Sequence, residues 1–175
     1  SINASEQLPK GFKPAQKFED QVDFITAKAQ GSKADQATGV ELLFHHELAQ
    51  VSFYAQNQNS EYVYKVYGLR IANPLTNGTY NFEDRSWTFD PLNVEKDAYS
   101  TLFDEPVTVS YYLNELTCKR VDTANGYDYV YNTAMILPQQ LTAWDPTADK
   151  TNAAKGAYIS LAIQVTSKNG DRIFP

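Results

Sequence analysis

Few residues in this chain are equipped for chemistry. His45, His46 and Glu47 are consecutive and include both histidines. Neighbours on a strand point to opposite faces, so the two imidazoles are not placed to clamp one metal ion. One ring is expected to pack or hydrogen-bond near a bend and the other to face solvent. Glu47 could tune an acid-base group, but no nucleophile motif stands ready to use it. Glu83-Asp84 and Asp104-Glu105 bring carboxylates together in sequence. Glycoside hydrolysis needs two carboxyls facing each other across a cleft, and these turn-rich stretches read instead as solvated loops. Asp145, Asp149 and Asn152 lack the spacing and the central glycine of a calcium loop. Cys118 is the sole cysteine, which excludes an internal disulfide and a multi-cysteine metal cluster. GxSxG, HExxH, P-loop and GxGxxG motifs are missing. The reading is therefore a non-enzymatic protein with no catalytic, cofactor-binding or metal residues and no cofactor.

Trp87 and Trp144 lie beside expected loops, where exposed indoles could stack on sugar rings. A carbohydrate-binding β-sandwich module is thus the alternative reading. In the plainer one, both rings cover the ends of the core.

The elements that would position these residues follow from composition and periodicity. The chain has 175 residues, 42% hydrophobic, with 12 Tyr and 9 Phe against a single Met, which favours strands over helices and one well-cored domain over two. A net charge of -6 repels phosphate backbones and anionic lipid, so nucleic acid is an unsuitable partner. No apolar run approaches the roughly 20 residues of a membrane span. Residues 1–38 read as a lead-in and linker, the tail of a preceding domain, with one short edge strand over Val22 to Ala27. Residues 39–175 read as the β-sandwich, lacking its last strand.

Within that domain Val40, Leu42 and Phe44 alternate in one parity and Val51, Phe53 and Ala55 in the other. The slip between His45 and Gln50 predicts a bend that re-aims the chain toward another sheet. Tyr62 to Ala72 reads as a strand, and Asn77-Gly78 as a hairpin turn into Thr79 to Phe82. Alternation predicts further strands over Val107 to Leu113, Tyr127 to Leu137 and Tyr158 to Val165. The stretches Glu83 to Pro106 and Trp144 to Gly156 read as long loops. Asn169-Gly170 predicts a turn into a short final strand. An antiparallel two-sheet β-sandwich follows. Its core is expected to include Leu42, Phe44, Val51, Phe53, Ile159, Leu161 and Ile163, with truncation of Leu161 costing about 2–5 kcal/mol.

Three strings carry a family resemblance. They are Leu43-Phe44-His45-His46 running on to Phe53, Tyr64 to Asn73 followed by Gly78-Thr79-Tyr80 and Trp87, and Met135-Ile136-Leu137-Pro138-Gln139-Gln140-Leu141-Thr142-Ala143-Trp144 with Tyr158-Ile159-Ser160-Leu161 after it. With Asp23-Phe24-Ile25-Thr26-Ala27 ahead of them, the chain resembles the Bacteroidetes fimbrillin-like proteins, subunits and tip proteins of type V pili. The resemblance implies a transthyretin-like, Greek-key β-sandwich and a cell-surface pilus (fimbrial) subunit or adhesin, exported as a lipoprotein precursor to the outer membrane. Its partners would be other pilus subunits and host or bacterial surface ligands, with membrane contact only through a lipid anchor outside this chain. Thr123, in Asp122-Thr123-Ala124, has the form of an O-glycosylation site in that compartment. Finally, only Asp171 to Pro175 follow the last turn signal, so the strand Tyr158 to Val165 is expected to present an unpaired edge able to accept a β-strand.

Overall fold

The computed structural model describes residues 11–89, 96–116, 118–122, 127–131, 133–145, 147 and 156–174. The protein is all-β, built from antiparallel pairings that form no closed barrel among the described residues, in agreement with the expected sandwich. No helix among the described residues is long and apolar enough to cross a membrane.

One layer is a four-stranded sheet in the order β14 (Arg172–Phe174), β13 (Tyr158–Ser167), β5 (Tyr62–Leu75), β8 (Lys96–Val109). The facing layer is assembled from short pieces. β3 (Ala49–Ser52) pairs with β12 (Thr133–Ile136), and β4 (Tyr54–Ala55) pairs with β9 (Asn114–Glu115). The partners of residues 55 to 49 therefore run from Asn114 forward to Ile136, interrupted by the hairpin of β10 (Cys118–Asp122) and β11 (Tyr127–Tyr131). Between the layers lie Phe53, Val66, Leu69, Ile71, Tyr99, Phe103, Leu116 and Ile136. Burying aliphatic and aromatic side chains of this size contributes on the order of 1.5–3 kcal/mol each, so this set dominates the stability of the fold.

The bend predicted from the change of parity is present. β2 (Phe44–His46) pairs with β1 (Ile25–Ala27), and three residues later β3 belongs to the sandwich layer. Other expectations change. β8 begins at Lys96 rather than near Val107, because its partner β5 is equally long and the mismatch is absorbed by a bulge: Val66 faces Val107, but Gly68 faces Leu102. The same β8 stops at Val109, so Tyr111 and Leu113 are not strand residues. Gly68 sits where the backbones approach closely, and a Cβ there would lie 2.6 Å from the Thr101 carbonyl oxygen. Asn77-Gly78 does not fold β5 into a hairpin. It leads into a separate one, β6 (Thr79–Asn81) with β7 (Ser86–Thr88), while Gly78 exchanges backbone hydrogen bonds with Phe12. The final turn is as expected, with Gly170 at φ +89°, where a side chain would be strained.

The segment expected to be a lead-in contributes to the core: Phe18 is 2% exposed and packs on Phe53. It also seals strand edges. Gln16 accepts from the Ser100 amide on β8. The Gln21 side chain accepts from the Met135 amide at 2.7 Å and donates to the Met135 carbonyl at 3.1 Å, pairing with β12 as a strand would. The 3-10 turn Phe18–Asp20 packs against both β8 and β12. In the Pro138-Gln139 string, Gln139 does the same for the end of β5, accepting from the Leu75 amide and donating to its carbonyl. Amide side chains satisfy both backbone groups of an edge at once, which blunts it as a pairing template.

The expected core is corrected at five positions. Leu42 and Phe44 are exposed, because β2 pairs only with the short β1 and neither joins the sandwich layers. Ile159, Leu161 and Ile163 are 58, 44 and 42% exposed. Their orientation is nevertheless inward, since they stand opposite Ile71, Leu69 and Val66, three buried core residues, and directly opposed residues share a face. Among the described residues the facing layer does not extend over them.

Candidate functional site

The uncovered inward face of β13 is one wall of a groove. The opposite wall is β3 and β4, whose described pairings are with β12 and β9 alone. Two apolar cavities of about 390 and 380 Å³ lie in this cleft. The first is lined by Ala55, Tyr64, Val109, Leu161 and Ile163 and by the polar stretch Gln56 to Asn59. The second is lined by Val51, Phe53, Ile136, Leu141 and Ile159 among others. Near one end, Trp144 donates its backbone N–H to Ala157 and Ala157 donates to Thr142.

Backbone accounting identifies what the groove lacks. β5 pairs with β13 along its whole length, Tyr158 to Ser167. On the other side β14 pairs only with Val165 and Thr166, so among the described residues no strand pairs with Tyr158 to Gln164 along that edge. On the opposite side of the sandwich the lead-in makes contact through Gln16, Phe18 and Gln21. The lead-in meets the β8 edge through one backbone hydrogen bond at Ser100, whereas the β13 flank combines a strand edge unpaired among the described residues with an apolar floor, the surface that takes up an added strand.

The residues singled out for their chemistry are placed elsewhere. His46 is exposed and its Nδ1 is hydrogen-bonded to Asp23. His45 is on the other face and half-buried. Glu83, Asp84, Asp104 and Glu105 are exposed, and the Asp84 carboxylate serves its own turn by accepting from Ser86. Asp145 accepts from the amide and hydroxyl of Thr147. Asp149, Asn152 and Thr123 lie outside the described residues, as does the side chain of Cys118. Among the described residues no three His, Cys, Asp or Glu side chains converge as metal ligands. Trp87 is half-buried: its ring lies 5.0–5.6 Å from those of Phe12, Phe24 and Tyr80, and its indole N–H donates to the Glu47 carbonyl. Trp144 is partly exposed, beside Tyr158.

A buried polar cluster escaped the sequence reading. Glu47 Oε1 accepts from Thr26 Oγ1 at 2.6 Å and from Arg85 Nε at 2.9 Å, with Tyr80 beside Thr26. Arg85 takes a left-handed backbone conformation, φ 58°, in the turn between β6 and β7, and that turn aims its guanidinium at Glu47. No spacing links residues 26, 47, 80 and 85, so the sequence carries no signal for this cluster. Burial pushes the Glu47 carboxyl upward, but hydrogen bonds from Thr26, Arg85 and Tyr80 together outweigh it and hold the group below its ordinary value of 4.5. A carboxyl with a depressed folded-state pKa adds stability above its unfolded pKa and loses it as pH falls through the folded one. Glu47→Gln is therefore expected to be less stable than wild type at pH 7, with the difference shrinking as pH falls below about 4.5. Urea denaturation at both ends of that range measures it. A difference independent of pH would remove the ion pair from the account. This cluster ties β1, the β2–β3 bend and the β6–β7 hairpin together, and its geometry is that of a structural clamp.

A family model described as fimbrillin-like matches residues 2–172. No curated protein and no solved structure matches the chain significantly. The match spans nearly the whole sequence, and the chain belongs to the fimbrillin-like family, a family of structural pilus subunits and not of enzymes.

Proposed function

We propose that this fimbrillin-like protein works as a cell-surface pilus subunit that accepts a β-strand from a neighbouring subunit into the groove between β13 and β3–β4. One observation carries the reading: Ile159, Leu161 and Ile163 face inward on a strand whose outer edge has no partner over Tyr158 to Gln164 among the described residues. An added strand would hydrogen-bond to that edge while every second side chain filled the apolar clefts, so affinity would come from the backbone and register from the pockets. The same reading includes export to the outer-membrane surface as a lipoprotein precursor, assembly with other pilus subunits, and, in an adhesive role, contact with host or bacterial ligands. Family membership and the resemblance described above support these parts.

The test is direct. Peptides copying successive strands of the companion subunits are added to the isolated protein, and amide exchange is followed over Tyr158 to Gln164. One peptide with alternating apolar residues is expected to protect these amides and raise the melting temperature, and Leu161→Lys is expected to abolish the response. Full protection of this segment in the isolated monomer, unaltered by every peptide, would mean that the edge is already paired.

A further inference from the structure

Beyond the groove, the loop joining β8 to β9 displays three large side chains in succession. Tyr111, Tyr112 and Leu113 are 70, 78 and 66% exposed. Runs of exposed apolar residues are costly for a soluble surface and are retained where they contact something. This loop is also rigidly held. Asn57 N–H donates to the Ser110 carbonyl at 2.8 Å, Gln56 Nε2 donates to the Tyr111 carbonyl at 2.6 Å, and Asn114 Nδ2 donates to the Tyr112 carbonyl. Ser110 Oγ donates to Asn114 Oδ1 at 3.2 Å. The two tyrosine rings meet edge to face, with centroids 6.0 Å apart. Side-chain amides have thus been used to fix the backbone, and the display is ordered before any partner arrives, which lowers the entropic cost of docking.

We infer that Tyr111, Tyr112 and Leu113 form a docking platform for the body of the subunit whose strand enters the groove. The inference rests on the groove reading for the partner's identity. Position supports it: Val109, one residue before the loop begins, lines the first cavity, and so do Gln56 and Asn57, whose side chain and amide hold the loop in place. A chain lying in the groove brings the rest of its subunit to this loop. Chemistry supports a protein surface as occupant. Residues 103–116 contain Asp104, Glu105 and Glu115 and no Lys or Arg, which opposes anionic lipid and sulfated sugars. Tyrosine is among the residues enriched at the energetic anchors of protein interfaces.

The experiment uses assembled filaments from cells producing the protein with a photo-crosslinking phenylalanine analogue at position 112, 161 or, as an exposed control, 33. Crosslinked peptides are identified by mass spectrometry. Position 112 is expected to join the folded body of an adjacent pilus subunit and position 161 an inserted strand, with position 33 giving neither product. Strand products from 161 without body products from 112 overturn the platform and leave the groove reading standing. Body products from 112 without strand products from 161 overturn the groove reading and, with it, the occupant assigned to the platform. In parallel, Tyr111→Ser with Tyr112→Ser, shown to be folded by its melting transition, is expected to dissociate from filaments about 10–100-fold faster, the scale of losing interface anchors. Unchanged dissociation overturns the platform even where a contact is seen.

Discussion

Leu69→Ala is expected to cost about 2–5 kcal/mol, while Leu161→Ala, directly across the ladder from it, is expected to cost less than about 1.5 kcal/mol. Both side chains point to the same face of the same sheet. Leu69 is 4% exposed, so its truncation loses transfer free energy and leaves a cavity among Val66, Ile71 and Tyr99. Leu161 lies over the open groove, where water already reaches it and fills the space that truncation creates. Reversible urea denaturation of the two variants measures the contrast. Equal losses would mean that a layer covers β13, and the groove would not exist. The ranking should reverse for strand acceptance: Leu161→Ala should weaken the binding of an inserted peptide, since that side chain becomes core only when the cleft is filled.

Tyr80→Ala should be the most damaging single truncation outside the sandwich core, at about 3–5 kcal/mol. Tyr80 is fully buried and packs edge-on against Phe24 and Phe82, each with centroids 5.1 Å away, and against Trp87 at 5.0 Å. These rings join β1, β6 and β7, short elements with few backbone hydrogen bonds of their own, so the aromatic cluster holds this end of the molecule together. Its removal would also loosen the walls around Thr26, Glu47 and Arg85. Tyr80→Phe keeps the ring and deletes the hydroxyl beside Thr26, and is expected to cost only about 0.5–1.5 kcal/mol. Trp87 emission reports on the same packing: it should shift to the red in the alanine variant and hold its position in the phenylalanine variant. A loss under about 1 kcal/mol for Tyr80→Ala would detach the cluster from the stability of the fold.

Much of this architecture is written in local periodicity. A Tyr- and Val-rich run identifies the strand over Tyr62 to Ala72, and two-residue alternation identifies Tyr158 to Val165 and assigns Ile159, Leu161 and Ile163 to the inward face, because side chains on a pleated backbone must alternate. The parity change after His45 marks the step from β2 to the sandwich layer for the same reason. Turn chemistry at Asn169-Gly170 ends β13, and the ordered strings through Trp87 and Trp144 point to the family that the chain belongs to.

Periodicity states which way a side chain points and nothing about what lies opposite it. Whether Leu161 is buried depends on the reach of β3 and β4, more than a hundred residues earlier, and among the described residues the facing layer ends short there. The length of β8 was likewise set by its partner β5, with a bulge absorbing Phe103 to Pro106 where sequence pattern indicated a loop. Glu47 with Arg85, and Gln21 with the backbone of Met135, are contacts between residues 38 and 114 positions apart that leave no spacing to read. The open groove and its tyrosine-bearing rim are therefore properties of the assembled layers. Residue type and alternation determined the faces; only the meeting of distant segments decided which of those faces would be covered.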